Sequence, residues 1–255
     1  MITKNQKDGL IFYQSNFLNI PHAMFTRCGG CSPAPYESLN CSYTSGDNPS
    51  MVEKNRKRMQ KMLDIEILKG TTQVHGDSIL TVKYIDQATD RTRNDAMITN
   101  VAGIGLLIQQ ADCQAILLHD PIQGVIAAIH NGWRGAVTNI IAKTIDRMQQ
   151  NFSVQAANLL AVISPSLGPC CAEFINYKNE LPPDFFSFIT MKNHFDFRAI
   201  SRWQLTRAGV DEKKIDTAMK CTVCDDDFFS YRRSVTQGNG QTGRNGSIIA
   251  LPRKQ

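Results

Sequence analysis

Two strand-like runs, residues 114–119 and 125–129, are separated only by residues 120–124, Asp-Pro-Ile-Gln-Gly. A connection that short, built from turn residues, forces the two strands to pair antiparallel. The end of the second strand then lies beside the start of the first, which sets Cys113 opposite or diagonal to His130. Directly opposed residues have Cβ atoms about 4.5–5.5 Å apart. Zinc takes sulfur at about 2.3 Å and imidazole nitrogen at about 2.0–2.1 Å, so one ion reaches both side chains. The plain alternative is a buried small thiol beside a satisfied strand-end histidine. After His130 the chain reads Asn131, Gly132, Trp133, Arg134 and Gly135, and then an amphipathic helix over 136–150. Val137, Ile140, Ile141, Ile145 and Met148 form its apolar side. Free amides at such a helix start suit an anion such as phosphate.

The 255 residues are 42% hydrophobic and 20% charged, which describes an ordinary soluble protein able to bury a core. A net charge of +5 is spread along the chain without a basic stripe, so nucleic-acid binding has no support, and a small anionic ligand suits the charge equally well. The start of the chain lacks a signal-peptide pattern and no stretch is apolar enough to span a membrane, so a cytoplasmic protein is expected. Its eight cysteines are then thiols or metal ligands. Cys28 with Cys31, and Cys221 with Cys224, form two C-x-x-C units, a common zinc pattern. Their wide separation leaves a shared site open.

In chain order, strands are expected at 10–13 and 22–25, ending at the Gly-rich turn 27–32, and residues 33–45 read as loop. Asn48 caps a helix with Pro49 in its first position. It runs to about Leu63, with Asn55 and Arg56 on the apolar stripe of Val52, Met59, Met62 and Leu63. Strands follow at 71–74 and 79–85, with His75 at a strand end between them. The polar stretch 86–97, with Asp86, Asp90, Arg91, Arg93 and Asp95, reads as loop. Further strands are expected at 104–108, 159–163 and 247–251. Asp196 caps a helix over 197–208 that stops at Gly209. Residues 180–197 resist assignment, and 237–246 read as a flexible loop. Without repeats or a linker, one domain over residues 1–255 is the expectation.

Common catalytic signatures such as G-x-S-x-G, a Walker loop and H-E-x-x-H are missing. A multicopper oxidase needs many imidazoles, and five histidines with no His-x-His pair are too few. A Cys–His hydrolase and a three-ligand metal site with an open position both remain open on composition.

Further motifs narrow the choice. Gln73-Val74-His75-Gly76, Ala111-Asp112-Cys113, the His130–Gly135 run, Gly168-Pro169-Cys170-Cys171, the run 228–233 and Thr242-Gly243-Arg244 occur in this order, along with Asn55-Arg56. In them the chain resembles, over nearly its whole length, a family first labelled multicopper polyphenol oxidase or laccase-like. That family was later described as purine nucleoside phosphorylases and as peptidoglycan editing factors. The resemblance implies an α+β fold of mixed, largely antiparallel sheets flanked by helices, a cysteine-hydrolase-like αβ sandwich. It implies zinc, rather than copper, on His75, Cys113 and His130. It also implies phosphorolysis of adenosine, inosine, guanosine and methylthioadenosine to base and ribose 1-phosphate, a transferase activity, with hydrolytic adenosine deamination beside it. Purine nucleosides and phosphate are then the partners, of a monomer or small homo-oligomer.

Arg27, Arg56 and Arg232 are candidates for holding phosphate, and Asn40 and Tyr231 for touching substrate. Asp112, adjoining a ligand, should alternate to the other strand face and serve as a support or proton carrier. The chain departs from the family in having Asn131 where Ala is usual, in Cys28 and Cys31, and in a longer loop at 237–240. Two other classes stay in view: a hydrolase or amidase of peptidoglycan precursors with Cys113 as nucleophile, and a binding protein held together by a C-x-x-C zinc site.

Overall fold

The computed structural model describes residues 1–84 and 92–253. In chain order the strands are β1 (Ile2–Lys7), β2 (Leu10–Ser15), β3 (His22–Phe25), β4 (Ile67–Lys69), β5 (Ile79–Val82), β6 (Ala96–Thr99), β7 (Ile104–Gln110), β8 (Gln114–Asp120), β9 (Val125–Asn131), β10 (Leu160–Ile163), β11 (Ile189–Met191), β12 (His194–Phe195), β13 (Ile215–Thr217) and β14 (Asn245–Ala250). The helices are α1 (Pro49–Met62), α2 (Trp133–Val137), α3 (Ile140–Phe152), α4 (Tyr177–Glu180), α5 (Phe197–Arg207) and α6 (Tyr231–Gln237). Two six-stranded sheets carry the fold, ordered β1-β2-β3-β14-β7-β4 and β13-β10-β8-β9-β6-β5, with β11-β12 as a small separate ribbon. Most pairings are antiparallel; β4–β7, β5–β6 and β10–β13 are parallel. This is the mixed α+β architecture expected.

The central strands are apolar on both faces because each face meets another layer. Leu117, Ile126 and Ala128 point into an interior shared with Met24, Leu106, Ile108 and Ile249 of the other sheet. Their neighbours Ile116, Leu118, Ala127 and Ile129 pack under Ile141, Ile145 and Met148 of α3. On the outer face of the first sheet, Phe25, Leu107 and Ile248 meet Met59 and Met62 of α1. The order is therefore helix, sheet, sheet, helix, and the period-2 alternation of a strand separates one buried layer from another instead of core from solvent.

Local signals hold where they are chemical. Asn48 accepts the Ser50 amide at the start of α1. Asp196 accepts the Arg198 and Ala199 amides at the start of α5. In the β8–β9 turn, Asp120 accepts the Ile122 and Gln123 amides and Gly124 takes φ +62°.

Several expectations fail. The strand expected at 71–74 is irregular, and β4 lies just before it; the Gln73 side chain instead bonds both backbone groups of Gln109, at 2.7 and 2.8 Å, as a strand partner would. The helix expected over 136–150 is two helices, because Asn139 turns left-handed (φ +54°) and caps α3 through the Ala142 amide. Helix α2 is then only five residues long, too short for the dipole-assisted anion site expected there, and Val137 is 38% exposed. Strand β1 was hidden by its polar composition. The loop expected at 86–97 contains the start of β6, while Ile85, Asp86, Asp90 and Arg91 lie outside the described residues. Leu117, fully enclosed between the sheets, sets a test of this layering: Leu117→Ala should lose about 2–5 kcal/mol of unfolding free energy in urea titrations while keeping the native far-ultraviolet circular dichroism.

Candidate active site

The β8–β9 register pairs Ala115 with His130 and Gln114 with Asn131. Cys113, one residue before β8, is therefore diagonal to His130, and the two share a strand face. That face is the inter-sheet one, since His130 follows Ile126 and Ala128 at period 2. Asn131 points the other way, and its amide donates to Ser201 of α5. His75 enters from the loop between β4 and β5, in a left-handed conformation with φ +58°. The ligating atoms of His75, Cys113 and His130 all lie within 4.8 Å of one another. His75 Nε2 is 3.8 Å from Cys113 Sγ, and the two imidazoles meet edge to face with centroids 4.8 Å apart.

Asp95 organises this cluster and was missed in the sequence, where it sits in an unremarkable polar stretch. It is fully buried at the entry to β6. One carboxylate oxygen accepts the His75 amide at 2.9 Å and faces His130 Nδ1 at 2.8 Å. The other accepts the amides of Val74 and Gly76 at 3.2 and 2.8 Å. The Asp95 carbonyl accepts the His130 amide at 2.7 Å. Because the carboxylate accepts, the Nδ1 proton belongs on that side of the ring, so Nε2 is the nitrogen that turns a lone pair to the cavity side whenever it gives up its own proton. Burial alone would raise the Asp95 carboxyl, but the hydrogen bond from His130 and those from the backbone bring it below its ordinary value.

Burial alone would also push the Cys113 thiol up. The charge and hydrogen bond of His130, followed by those of His75, bring it down instead, to about 6. Burial pulls His130 down, and the Cys113 charge and the Asp95 carboxylate raise it to about 9. Gly132 clears the space in front: a Cβ there would stand 3.0 Å from Cys113 Sγ and 3.1 Å from His75 Cδ2. Two imidazoles and a thiolate converging on one point, with one imidazole held by a buried carboxylate, are the donor set and orienting partner of a single-ion metal centre. The residues present fit such an ion.

A cavity of about 770 Å³ opens from this cluster. Trp133, Phe174 and Phe197 give it an aromatic wall, and Arg134, Arg232 and Arg244 bring three cations to its lining. Tyr231 and Arg232, expected at the substrate, line it. Arg27, Asn40 and Arg56, also expected there, do not. Arg27 donates to the Glu37 carbonyl and stacks on Phe229. Asn40 donates to Ser42, Ser45 and Asp47, and accepts the Ser42 and Arg244 amides, so it braces a loop. Arg56 donates to the Cys41 carbonyl and stacks behind Tyr43, whose own ring lines the cavity.

Asp112 corrects a second expectation. It lies in a bend with φ +85°, not in the alternation of a strand. Its oxygens accept the Thr222 hydroxyl at 2.7 Å and the Arg232 amide in the first turn of α6 at 2.6 Å. Arg134 and Arg244 were missed as site residues, although both stand inside motifs visible in the sequence. Cys28 and Cys31 stay outside both donor groups: Cys28 faces Asp227 and Cys31 bonds Asn55, and neither joins the cluster that holds Cys221 and Cys224.

The lowered Cys113 pKa has a direct readout. In protein stripped of metal by chelation, the thiolate should persist down to about pH 6 and protonate below it. Iodoacetamide labelling of the Cys113 peptide, followed by mass spectrometry, should therefore titrate with a midpoint near 6. His130→Gln should move that midpoint upward by more than one pH unit, toward the ordinary thiol range near 8.5.

Comparisons with known proteins place the chain in a family. The family model described as multi-copper polyphenol oxidoreductase laccase matches residues 21–252. A purine nucleoside phosphorylase of Bacteroides thetaiotaomicron is 34% identical, covering 91% of this chain and 93% of its own length. One from Deinococcus radiodurans is 32% identical, covering 97% and 95%. The crystal structure of YlmD from Geobacillus stearothermophilus superposes with a TM-score of 0.87 at 27% identity, covering 98% of this chain and 99% of that one. With a model match over most of its length and relatives above 30% identity, the chain belongs to the multi-copper polyphenol oxidoreductase laccase family, alongside members named purine nucleoside phosphorylase.

Proposed function

We propose that the protein is a zinc-dependent purine nucleoside phosphorylase. In this reading it cleaves adenosine, inosine, guanosine and methylthioadenosine with phosphate, and also deaminates adenosine. The observation that carries the reading is the opening of a His75–Cys113–His130 donor set onto a cavity that also holds three arginines and an aromatic wall. Relatives named purine nucleoside phosphorylase support it. Zinc suits two imidazoles and a thiolate with a fourth position facing the cavity, and when bound it supplies a Lewis acid and a water of lowered pKa. The same donors also suit a blue-copper centre, but five histidines in the chain leave no set for the several coppers of an oxidase.

The work of the chain's own residues follows from their places. Asp95 fixes the tautomer and angle of His130. Arg232, Arg244 and Arg134 gather phosphate beside the ribose carbon that loses the base, balancing its charge in a partly enclosed site. Trp133, Phe174 and Phe197 offer flat apolar faces to the purine and exclude water from it. Asp112 has both oxygens committed, so its part is to position Arg232 by anchoring the first turn of α6, not to carry a proton. A second reading has one observation behind it: the Cys113 thiolate beside a protonated His130 is also the resting pair of a cysteine hydrolase, which a peptidoglycan-editing amidase would use. A metal ion on Cys113 removes that nucleophile, so an ion that is lost in Cys113→Ala decides between them.

The test is metal analysis of purified protein followed by incubation with adenosine and inosine, with and without phosphate. Free base that appears only with phosphate is expected, and no product from either nucleoside overturns the reading. Cys113→Ala should lose both the ion and turnover, while Cys28→Ala keeps both. Arg244→Gln should raise KM for phosphate roughly 10- to 100-fold, the equivalent of about 1.5–3 kcal/mol for a charged hydrogen bond. Arg27→Gln should leave that KM near its original value.

A further inference from the structure

A second convergence of metal-type donors lies outside the cavity lining. Cys170 and Cys171, on the segment after β10, meet Cys221 and Cys224, on the segment after β13. All four sulfurs lie within 4.8 Å of one another; Cys224 Sγ is 3.6 Å from that of Cys170 and 3.5 Å from that of Cys171. Zinc with sulfurs at about 2.3 Å in a tetrahedron holds neighbouring sulfurs about 3.8 Å apart. The spread therefore matches four ligands around one ion. We propose that Cys170, Cys171, Cys221 and Cys224 bind a structural zinc ion that clips these two segments together.

The surroundings are built for such a charge. A tetrathiolate zinc site carries two net negative charges, and a buried cation stands beside it. Arg198 is 6% exposed, its Nε and Nη1 make no hydrogen bond, and its ion pair with Asp196 is a long 3.9 Å. Its Nη2 lies 3.2 Å from the point where a Cβ on Gly168 would stand, and Cys170 Sγ lies 3.3 Å from that same point. That Cβ would also stand 2.9 Å from Cys221 Cβ, so only glycine admits this approach. The Gly168 amide donates to Cys221 Sγ at 3.3 Å, the type of N–H···S bond that steadies a ligating thiolate. On the far side, Arg233 donates to the carbonyls of Thr222 and Val223, inside the Cys221–Cys224 turn, and fixes its shape. Ser166 bridges to Cys221, and the Thr222 amide donates to the Ser166 carbonyl, so the segments are already in register before any ion joins them. Four protein ligands leave no position for water, which makes the site structural. Its consequence reaches the cavity, because the clipped segments carry Leu167 and Phe174 on one side and lead into Tyr231 and Arg232 on the other.

The experiment is metal analysis of the full-length protein, purified under reducing conditions, for wild type, Cys113→Ala and the double variant Cys171→Ser/Cys224→Ser. The double variant should carry one zinc ion fewer than wild type and melt at a lower temperature, while Cys113→Ala keeps that ion. This outcome is independent of nucleoside turnover, so it stands or falls apart from the proposed activity. Should the double variant fold too poorly to purify, cobalt-substituted wild type and cobalt-substituted Cys113→Ala give the same information. Both should show the intense thiolate-to-metal charge-transfer absorption of a four-sulfur site. Equal zinc in wild type and the double variant, a Cys224 disulfide to Cys170 or Cys171 in the fresh protein, or iron in place of zinc would each overturn the proposal.

Discussion

The carboxylate of Asp95 does what no other group in the site could do. It gathers three consecutive backbone amides, from Val74, His75 and Gly76, and the Nδ1 side of His130, all within 3.2 Å. A buried carboxylate without donors would be costly, and four donors make it instead a fixed point to which two otherwise unrelated segments are tied. The loop bearing His75 has no strand of its own to hold it, and His75 itself occupies a left-handed conformation that most residues avoid. Its position is thus set from the neighbouring sheet, through Asp95, and not from its own sequence.

The sheets supply the rest of the frame. Strands β8 and β9 are buried on both faces, and only at their ends does a polar residue on the inter-sheet face become affordable. His130 stands at such an end, diagonal to Cys113, and Gly132 keeps the next position clear. The aromatic group of Trp133, Phe174, Phe195 and Phe197 belongs to a small core of its own that includes Ile200 of α5. Trp133, Phe174 and Phe197 of that group also line the cavity, where Arg134 stacks on Trp133 with 4.5 Å to the ring centroid and Arg232 and Arg244 complete the cationic lining. Aromatic rings and cationic groups lining one cavity suit a flat apolar group and an anion bound side by side.

What could be read from the sequence follows a physical rule. Interactions made within a few residues were legible: the Asn48 and Asp196 caps, the Asp120 turn, and the hairpin that brings Cys113 to His130. Interactions that need the two sheets to be assembled were not. Asp95 looked like a loop residue because its partners lie about 20 and 35 positions away. Arg27, Asn40 and Arg56 looked like ligand-binding groups because polar side chains beside Gly-rich loops often are. Here Arg27 and Arg56 donate to loop carbonyls and Asn40 bonds backbone and side-chain groups of its own loop, roles that sequence chemistry alone does not separate from substrate contact. The two-helix break at Asn139 was invisible for a different reason, since the apolar period continues across it.

The cysteines sharpen this rule. Local spacing marked Cys28 with Cys31 and Cys221 with Cys224 as equal candidates, yet only the second pair meets other thiols, because the parallel pairing of β10 with β13 delivers Cys170 and Cys171 to it. That delivery also links the thiol cluster to the candidate active site. Thr222 lies between Cys221 and Cys224, and its hydroxyl donates to Asp112. Asp112 also accepts the Arg232 amide, and its chain neighbour is Cys113. A shift of the Cys221–Cys224 turn would move Thr222, loosen Asp112, and disturb a cavity arginine and a metal-type ligand together. The four-cysteine cluster and the His–Cys–His cluster are therefore two ends of one short hydrogen-bonded path that runs through Asp112.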